Sequence, residues 1–337
     1  MKAGFCFLIV LFPFLCSAQK ADSVRVFVDS ALNIMQNKSL FSKNLNWKKI
    51  RDTVSYMTKE ATTYEEAAPA IKFAFNLLND KHGWLVLNDE SYTNPFLAHD
   101  DSRINEATKK VITKPAVKCS VIQKKYAYLS IPFFGGQTSK AMNDFAQRIQ
   151  DSLCTVVSSA TKGIIIDLRL NGGGNMYPMV VGISNLLPEG KITESINSSG
   201  DVDGEFVLKN HSVTLLDTIV VRLKRTCKDQ QSLPVAVLIG PATGSSGEQL
   251  AIILSTRKNT VLIGENTAGY VTANNGFLLP GSNNGIVVGE SYTKDKSGKL
   301  YLDDVTPGIK VIGGDDFANL LNDKKITTAI NWIEGKQ

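Results

Sequence analysis

The chain has 337 residues, of which 43% are hydrophobic and 20% are charged, and its formal net charge is +5. This length is sufficient for one large α/β domain with an additional helical piece. A mild positive charge spread over so many residues does not indicate a nucleic-acid partner. The cysteines form no CxxC pair, so the sequence implies no metal site, and nothing in it implies an organic cofactor.

The first 18 residues have the composition of a secretory signal peptide. One lysine is followed by an apolar run over residues 5–15, and small residues end at Ala18, before a predicted cleavage site at Gln19. The run is too short for a stable membrane span, so we expect none in the mature chain. Leu15 stands before Cys16, where a lipoprotein cleavage box has a small residue. We therefore expect export without a lipid anchor, either to a periplasm or out of the cell.

Three widely spaced cysteines remain after the signal peptide, namely Cys119, Cys154 and Cys227. Their number does not provide a dense disulfide framework, so the fold must depend on a hydrophobic core. One disulfide and one free thiol are compatible with this count, but the sequence does not select the pair.

The segment that follows the signal peptide is predicted to be helical. Apolar residues recur at three- and four-residue spacing over residues 21–36, 45–58 and 64–79. We assign residues 19–90 to this helical N-terminal region and the polar residues 91–115 to a connecting segment. The remaining residues, 116–337, are predicted to form the core.

Strand and helix alternate within the core, which predicts an α/β fold with a mostly parallel sheet covered by helices. Short apolar runs indicate buried strands over residues 164–166, 235–239 and 260–263. Residues 117–123 and 126–131 are predicted to form two strands joined by a turn at Lys124 and Lys125. Helices are expected over residues 139–159, from about Met176, and over 323–334. Further strands are expected near residues 203–208, 212–223, 276–280, 285–290 and 300–304.

The sequence GIIIDLRLNGGGN, residues 163–175, places three glycines after a buried strand. Successive glycines allow backbone N–H groups to face one point, as in an anion-binding nest or an oxyanion hole. A phosphate loop is disfavoured, because no GKS or GKT follows and the spacing is not GxGxxG. A purely structural glycine turn is equally compatible with the pattern.

A second strand-to-helix turn carries a pair of serines, Ser245 and Ser246, in VAVLIGPATGSSGEQLAIIL, residues 235–254. A hydroxyl at this point is exposed above the sheet and lies next to the N–H groups and positive dipole of a helix start. Such a position suits a nucleophile. The alternative is a capping box, since Glu248 follows Ser245 by three residues.

His82 stands in a helix-to-strand turn, Asp80-Lys81-His82-Gly83, and not on an apolar helix face. Turns are rich in polar residues for structural reasons, so a structural histidine is the simple interpretation of this local pattern.

Together, four stretches in order resemble the tail-specific, or carboxy-terminal processing, serine peptidases of family S41, the group that includes the tricorn protease core. They are GIIIDLRLNGGGN, VAVLIGPATGSSGEQLA, VLIGENTAG and DDVTPGIKV, which lie within residues 117–312. The resemblance implies a ClpP/crotonase-like ββα-spiral core. We expect no PDZ-like domain, because the segment before residue 117 is too short to contain one.

The resemblance assigns site residues in both glycine and serine turns. Ser245 would be the nucleophile, because it precedes Glu248 by three residues as in the T-x-S-x-x-E motif. The N–H groups of Gly173, or alternatively Gly174, and of Ser246 would form the oxyanion hole. Many relatives use a lysine base about 25 residues after the serine. Here that position is Tyr270, and residues 259–283 contain no lysine.

The tricorn-like branch instead uses a histidine that precedes the sheet, and LLNDKHGWLVL is similar to that segment. The resemblance therefore implies that His82 is the general base, because histidine can accept the serine proton near neutral pH. An acid near the chain end would orient the imidazole. Asp303 is the first candidate, and Asp304 and Glu290 are alternatives.

We therefore predict an exported serine endopeptidase of the carboxy-terminal-processing type that acts on peptides or unfolded proteins. The order of the site residues argues against an α/β-hydrolase esterase, which has Ser, acid and His in that order along the chain. The alternative is a catalytically silent relative that binds peptides or apolar ligands. The sequence does not indicate an oligomeric state.

Overall fold

A computed structural model describes residues 12–97, 101–113, 116–215, 218–281 and 283–336. Residues 1–11, which contain most of the predicted signal peptide, lie outside these ranges. The chain divides into two compact units. Unit 1 comprises the described part of Met1–Ala98 together with Asn274–Glu290, and unit 2 comprises that of His99–Ala273 and Ser291–Gln337.

The helices and strands are numbered along the chain. The helices are α1 Phe12–Lys38, α2 Trp47–Met57, α3 Tyr64–Leu77, α4 Glu106–Ile112, α5 Ser139–Val156, α6 Met176–Gly182, α7 Ser246–Ser255 and α8 Lys324–Ile333. The strands are β1 Trp84–Leu87, β2 Glu90–Tyr92, β3 Lys118–Ile122, β4 Tyr126–Ser130, β5 Gly163–Asp167, β6 Gly190–Ile196, β7 Val202–Lys209, β8 Ser212–Leu215, β9 Thr218–Arg222, β10 Val235–Ile239, β11 Thr260–Gly264, β12 Ala273–Leu278, β13 Gly285–Asp295, β14 Leu300–Tyr301 and β15 Ile309–Lys310.

Unit 1 is built from helices α1 to α3, which bury one apolar face each. Phe27, Ile71 and Phe75 are fully buried in its core, together with Leu85 of β1. β1 pairs antiparallel with β2, and Trp84 of β1 faces Val287 in the first part of β13. A segment from late in the sequence therefore completes the N-terminal core.

Unit 2 contains a sheet with the strand order β15-β11-β10-β5-β4-β3. All of its neighbours are parallel except β3 and β4, which form an antiparallel edge. Alternate residues of β10 enter two different cores: Val237 and Ile239 lie on one face, and Ala236 and Leu238 on the other. Burial on both faces explains why this strand is a continuous apolar run.

The polar region between the two central strands forms a separate antiparallel meander, β6 to β9, whose first strand pairs with the second part of β13. The segment that follows β9 is joined to α5 by a disulfide between Cys154 and Cys227. Cys119 is an exposed free thiol. The pairing left open by the sequence is therefore Cys154 with Cys227.

The predicted α/β fold with a mostly parallel sheet and a helical N-terminal region is confirmed. The structure also contains elements that the sequence did not predict, among them β2, β6 and β15. Residues 91–115, interpreted as a polar connection, contain the end of β2 and the helix α4. The strand β6 was not predicted, because its sequence, GKITESI, has no continuous apolar run. No helix in the described ranges combines the length and the apolar character that a membrane span requires.

Candidate active site

Ser245 lies where the buried strand β10 leads into helix α7. The helix begins at Ser246, so Ser245 is the residue immediately before it. Its φ is 50° and its ψ is −118°, a conformation that glycine adopts easily and other residues adopt only with strain. Strain of this kind persists only where the surroundings enforce it, and it is concentrated at functional sites. Ser245 is also partly exposed, although both of its neighbours in sequence are buried.

The fully buried Glu248 holds the start of this helix. Its carboxylate accepts hydrogen bonds from the hydroxyl of Thr267 and from the N–H groups of Ser245 (2.7 Å), Gly269 (2.7 Å) and Tyr270 (2.8 Å). One half of the capping box predicted for Ser245 and Glu248 is present, namely the hydrogen bond from the N–H of Ser245 to the carboxylate of Glu248. Burial raises the pKa of Glu248 to about 7, against the lowering effect of these four donors. The carboxylate thus fixes the backbone of Ser245 to the turn that follows β11.

The glycine turn at residues 172–174 lies against this serine. Gly173 has a φ of 120° and Gly174 a φ of 97°, so both positions require the conformational freedom of glycine. A Cβ atom added at Gly173 would lie 2.7 Å from Cβ of Ser245 and 3.2 Å from its Oγ. Ser246 joins the two turns, because its hydroxyl donates a 2.6 Å hydrogen bond to the carbonyl oxygen of Gly174. The structure therefore brings the two predicted motifs into direct contact.

The N–H groups of these two turns differ in whether they already have an acceptor. Gly173 donates its N–H to Oδ1 of Asn171 at 3.1 Å. For Gly174 and Ser246, the described part of the chain offers no acceptor to the N–H. Free N–H groups at the start of a helix provide positive electrostatic potential that suits a developing oxyanion.

His82 lies in unit 1, in the turn between α3 and β1. Asp80 organises this turn, because its carboxylate, only 1% exposed, accepts the N–H of His82 at 3.0 Å and that of Gly289 at 2.8 Å. Burial raises the pKa of Asp80, and its hydrogen bonds from backbone N–H groups act in the opposite direction. The side chain of Asn274 donates to the carbonyl oxygen of His82 at 2.6 Å. Both main-chain polar groups of His82 are thus fixed.

The three candidate acids have different surroundings. Asp303 is exposed, and Asp304 accepts two 3.1 Å hydrogen bonds from the side-chain amide of Asn266. Both belong to unit 2, whereas Glu290 belongs to unit 1 and lies 4.0 Å from a lysine ammonium group.

The predicted site residues are therefore divided between the two units. The serine and glycine turns belong to unit 2, where they are in contact, and His82 belongs to unit 1. The pairing of Ser245 with His82 and the choice of acid stay predictions.

A buried cluster of charges holds the strand end from which the glycine turn departs. Arg169 forms ion pairs of 2.7 Å with both Asp167 and Asp323 and a further one with Asp315. Lys325, only 1% exposed, binds Asp315 at 2.8 Å. Removal of one partner from a buried ion pair typically costs about 3–5 kcal/mol. The cluster thus fastens the end of β5 to the segment that leads into α8.

The sequence did not assign a role to Asp80 or to Thr267. A signal for Asp80 was present, since an Asp two residues before the N–H that it binds is the pattern of an Asx turn. Thr267 was part of the GENTAG turn, but the identity of its partner, Glu248, depends on how β11 and α7 come together in the fold.

The fold and the paired turns define an α/β protein with the architecture of a serine peptidase core. A model of peptidase family S41 matches residues 125–311, which is more than half of the chain. The chain belongs to peptidase family S41.

The chain is also similar to individual proteins. A nisin-resistance protein from Lactococcus lactis subsp. lactis is 28% identical over 341 residues, which cover 99% of this chain and 92% of the relative. The structure of a lipoprotein from Streptococcus agalactiae is similar with a TM-score of 0.68 and 18% identity over 98% of this chain and 100% of that one. The photosystem II D1 C-terminal processing protease is similar with a TM-score of 0.59 and 14% identity over 86% and 93% of the respective chains. At these identities, the two structures show a shared fold.

Proposed function

We propose that this protein is an exported serine-type peptidase with Ser245 as its nucleophile. The observation that carries the proposal is the strained backbone of Ser245, in contact with a glycine turn and at the start of a ten-residue helix. Family membership supports peptide-bond hydrolysis as the chemistry. A serine held in a strained conformation is consistent with that chemistry, because a helix cap alone does not require positive φ.

In the proposed reaction, Oγ of Ser245 attacks the carbonyl carbon of a peptide bond. His82 accepts the hydroxyl proton and returns it to the leaving amine, since serine is a poor nucleophile at neutral pH without such a base. Asp303 is the first candidate to orient the imidazole, with Asp304 and Glu290 as alternatives. The role of His82 rests on the resemblance of its segment and is supported by the fixed backbone of its turn.

Two backbone N–H groups would bind the oxyanion of the tetrahedral intermediate. One belongs to Ser246, and the other to Gly173 or Gly174. The family resemblance favours Gly173, whereas the hydrogen bonding favours Gly174, because the N–H of Gly173 already donates to Asn171. A donor of this kind typically contributes about 3 kcal/mol to the lowering of the barrier.

The proposed substrates are peptides or unfolded proteins, cleaved by an endopeptidase of the carboxy-terminal-processing type. Export is supported by the composition of residues 1–18 and by the disulfide between Cys154 and Cys227, since disulfides persist in oxidising compartments. Amino-terminal sequencing of the protein from a periplasmic or extracellular fraction tests this part. We expect the mature chain to begin at Gln19.

A second candidate function is the binding of peptides or apolar ligands without catalysis. It is favoured by Tyr270, which stands where many relatives have the catalytic lysine and whose N–H is bound to Glu248. In this case the serine and glycine turns would bind a carbonyl group without cleaving it.

Incubation of the purified mature protein with a peptide library, read by mass spectrometry, separates the two functions. Nisin belongs in the panel, because the relative from Lactococcus lactis is named for resistance to it. We expect wild type to cleave peptides and Ser245→Ala and His82→Ala to lose activity by several orders of magnitude. His211→Ala is the matched control, because the ring of His211 bonds to Ser184 at 2.9 Å, away from the proposed machinery.

Residual cleavage by Ser245→Ala at the wild-type rate would contradict the nucleophile assignment. Full activity of His82→Ala would refute only the assignment of His82 as the general base, and Ser245 would remain the proposed nucleophile. Tight peptide binding by a wild-type protein that cleaves nothing would establish the second function.

A further inference from the structure

A cavity of about 590 Å³ lies in unit 2 between residues 132–136 and the first turns of α5. Its walls are mainly apolar and include Phe133, Phe134, Ala141 and Phe145. Cavities of this volume are large enough to enclose most of a small organic molecule. The cavity therefore has room for a large side chain and not only for a methyl group.

The wall of this cavity is connected directly to the glycine turn. The N–H of Phe134 donates to the carbonyl oxygen of Gly173 at 3.3 Å, and its carbonyl oxygen accepts the N–H of Asn175 at 2.7 Å. A Cβ atom added at Gly174 would lie 2.2 Å from the carbonyl oxygen of Phe134 and 3.1 Å from the ring of Phe133. Gly173 in turn contacts Ser245. The lining residues all lie between positions 116 and 148, so the cavity is connected to the serine through the glycine turn and not directly.

The aromatic side chains of the wall differ in how they are held. The ring of Phe134 stacks on that of Phe145, with centroids 4.1 Å apart and an angle of 9° between the planes. Phe133 is 48% exposed, so nearly half of a large apolar side chain faces solvent beside the glycine turn. Exposed apolar surface next to a reactive group is typical of a binding site.

The charged residues of this cavity stand on α5. Lys140 and Asp144 form a 2.6 Å ion pair on its first turns, and Arg148 follows one turn later. The ion pair neutralises Lys140 and Asp144 and leaves Arg148 as a net positive charge at this end of the cavity, while Phe145 on the same helix contributes to the aromatic wall. The mainly apolar wall favours an apolar guest, because a charged guest would lose hydration against the aromatic rings.

We propose that this cavity binds a large apolar or aromatic side chain of the substrate, close to the bond that is cleaved. This inference rests on the proposed function, and it names Phe133 and Ala141 as residues that determine specificity. Because the cavity wall contacts the glycine turn, the occupant would be a side chain of the same peptide whose carbonyl group lies on Ser245. The cavity would select substrates by the size of that side chain.

The test uses mature protein and a set of alanine-based octapeptides in which one position at a time is Phe, Leu, Asp or Lys. Ala141→Trp fills the cavity, and Phe133→Ser removes its exposed wall. Phe96→Ser is the matched control, because Phe96 is an exposed phenylalanine (83%) outside the cavity. Thermal unfolding of each variant verifies that it is folded. Cleavage is measured as kcat/KM, and binding is measured with Ser245→Ala and with Ser245→Ala combined with each substitution.

We expect wild type to prefer Phe or Leu over Ala at one position by about tenfold or more, the usual range for an apolar pocket. Ala141→Trp should reduce the ratio of kcat/KM for the Phe peptide to that for the Ala peptide by about tenfold. Phe133→Ser should reduce the same preference, and Phe96→Ser should leave it unchanged.

Cleavage without such a preference, or with the same preference in Ala141→Trp, would overturn the inference and leave the peptidase function intact. If no peptide is cleaved, the binding measurements decide. Affinity that depends on Phe and is lost in the Ala141→Trp background supports the cavity while it refutes catalysis. Equal affinity for Phe and Ala peptides refutes the cavity as well.

Discussion

Replacement of Ser245 by glycine should remove activity while it relieves the strain at this residue. With φ at 50° and ψ at −118°, a side chain at this position costs about 1–3 kcal/mol relative to a relaxed backbone. Glycine carries no such cost but loses about 0.5–1 kcal/mol of additional chain entropy on folding. At the N-cap, glycine is also better tolerated than alanine. We therefore expect Ser245→Gly to be about 1–2 kcal/mol more stable than Ser245→Ala.

Denaturant unfolding of the two variants, followed by circular dichroism, measures this difference. The same two substitutions at Ser297 provide the control, because Ser297 lies in an ordinary turn without positive φ. There we expect the glycine variant to be the less stable of the two. If Ser245→Ala is as stable as Ser245→Gly, the backbone at this position is not strained and the argument for an enforced nucleophile fails.

Three further predictions concern groups around the site. Because burial places the pKa of Glu248 at about 7, above the ordinary value of 4.5, the native state binds more protons than the unfolded chain between these values. The unfolding free energy should therefore fall as the pH rises from about 4.5 to 7, and Glu248→Gln should flatten this slope in a series of unfolding curves. Replacement of both Cys154 and Cys227 by serine should cost about 4 kcal/mol, from a closed loop with a sequence separation of 73, whereas Cys119→Ser should change the midpoint little. In Asp80→Asn, an amide replaces the carboxylate that now accepts hydrogen bonds from the N–H groups of His82 and Gly289. We expect this substitution to lower the unfolding free energy by about 1–3 kcal/mol and to lower kcat. An unchanged kcat would show that this turn has no part in catalysis.

The central strands could be predicted because a short run of apolar residues is enough to indicate a buried strand. β10 is buried on both faces, and a run such as Val235–Ile239 is compatible with few other environments. The serine turn was recognisable for the same reason, since a strand must end before the helix can begin. The conformation of Ser245 was not predictable from its own residue type. It is enforced by contacts with Gly173 and Glu248 that exist only in the folded chain.

Long-range pairings were beyond the reach of sequence patterns. Nothing near residues 274–290 indicates that this segment completes the core of unit 1, because its partner strand β1 lies far away in the sequence. The disulfide partners were equally open until α5 and the segment around Cys227 were brought together. Both pairings are determined by tertiary contacts.

The disulfide between Cys154 and Cys227 would hold the protein together after cleavage of a peptide bond between these two residues. The glycine turn at residues 172–174 lies inside the loop that this bond closes. A cut elsewhere in the loop, whether by another protease or by a second copy of this one, would leave both fragments covalently joined. Nicked molecules would run as intact chains on a gel until a reductant is added, and the piece that carries the glycine turn would be retained.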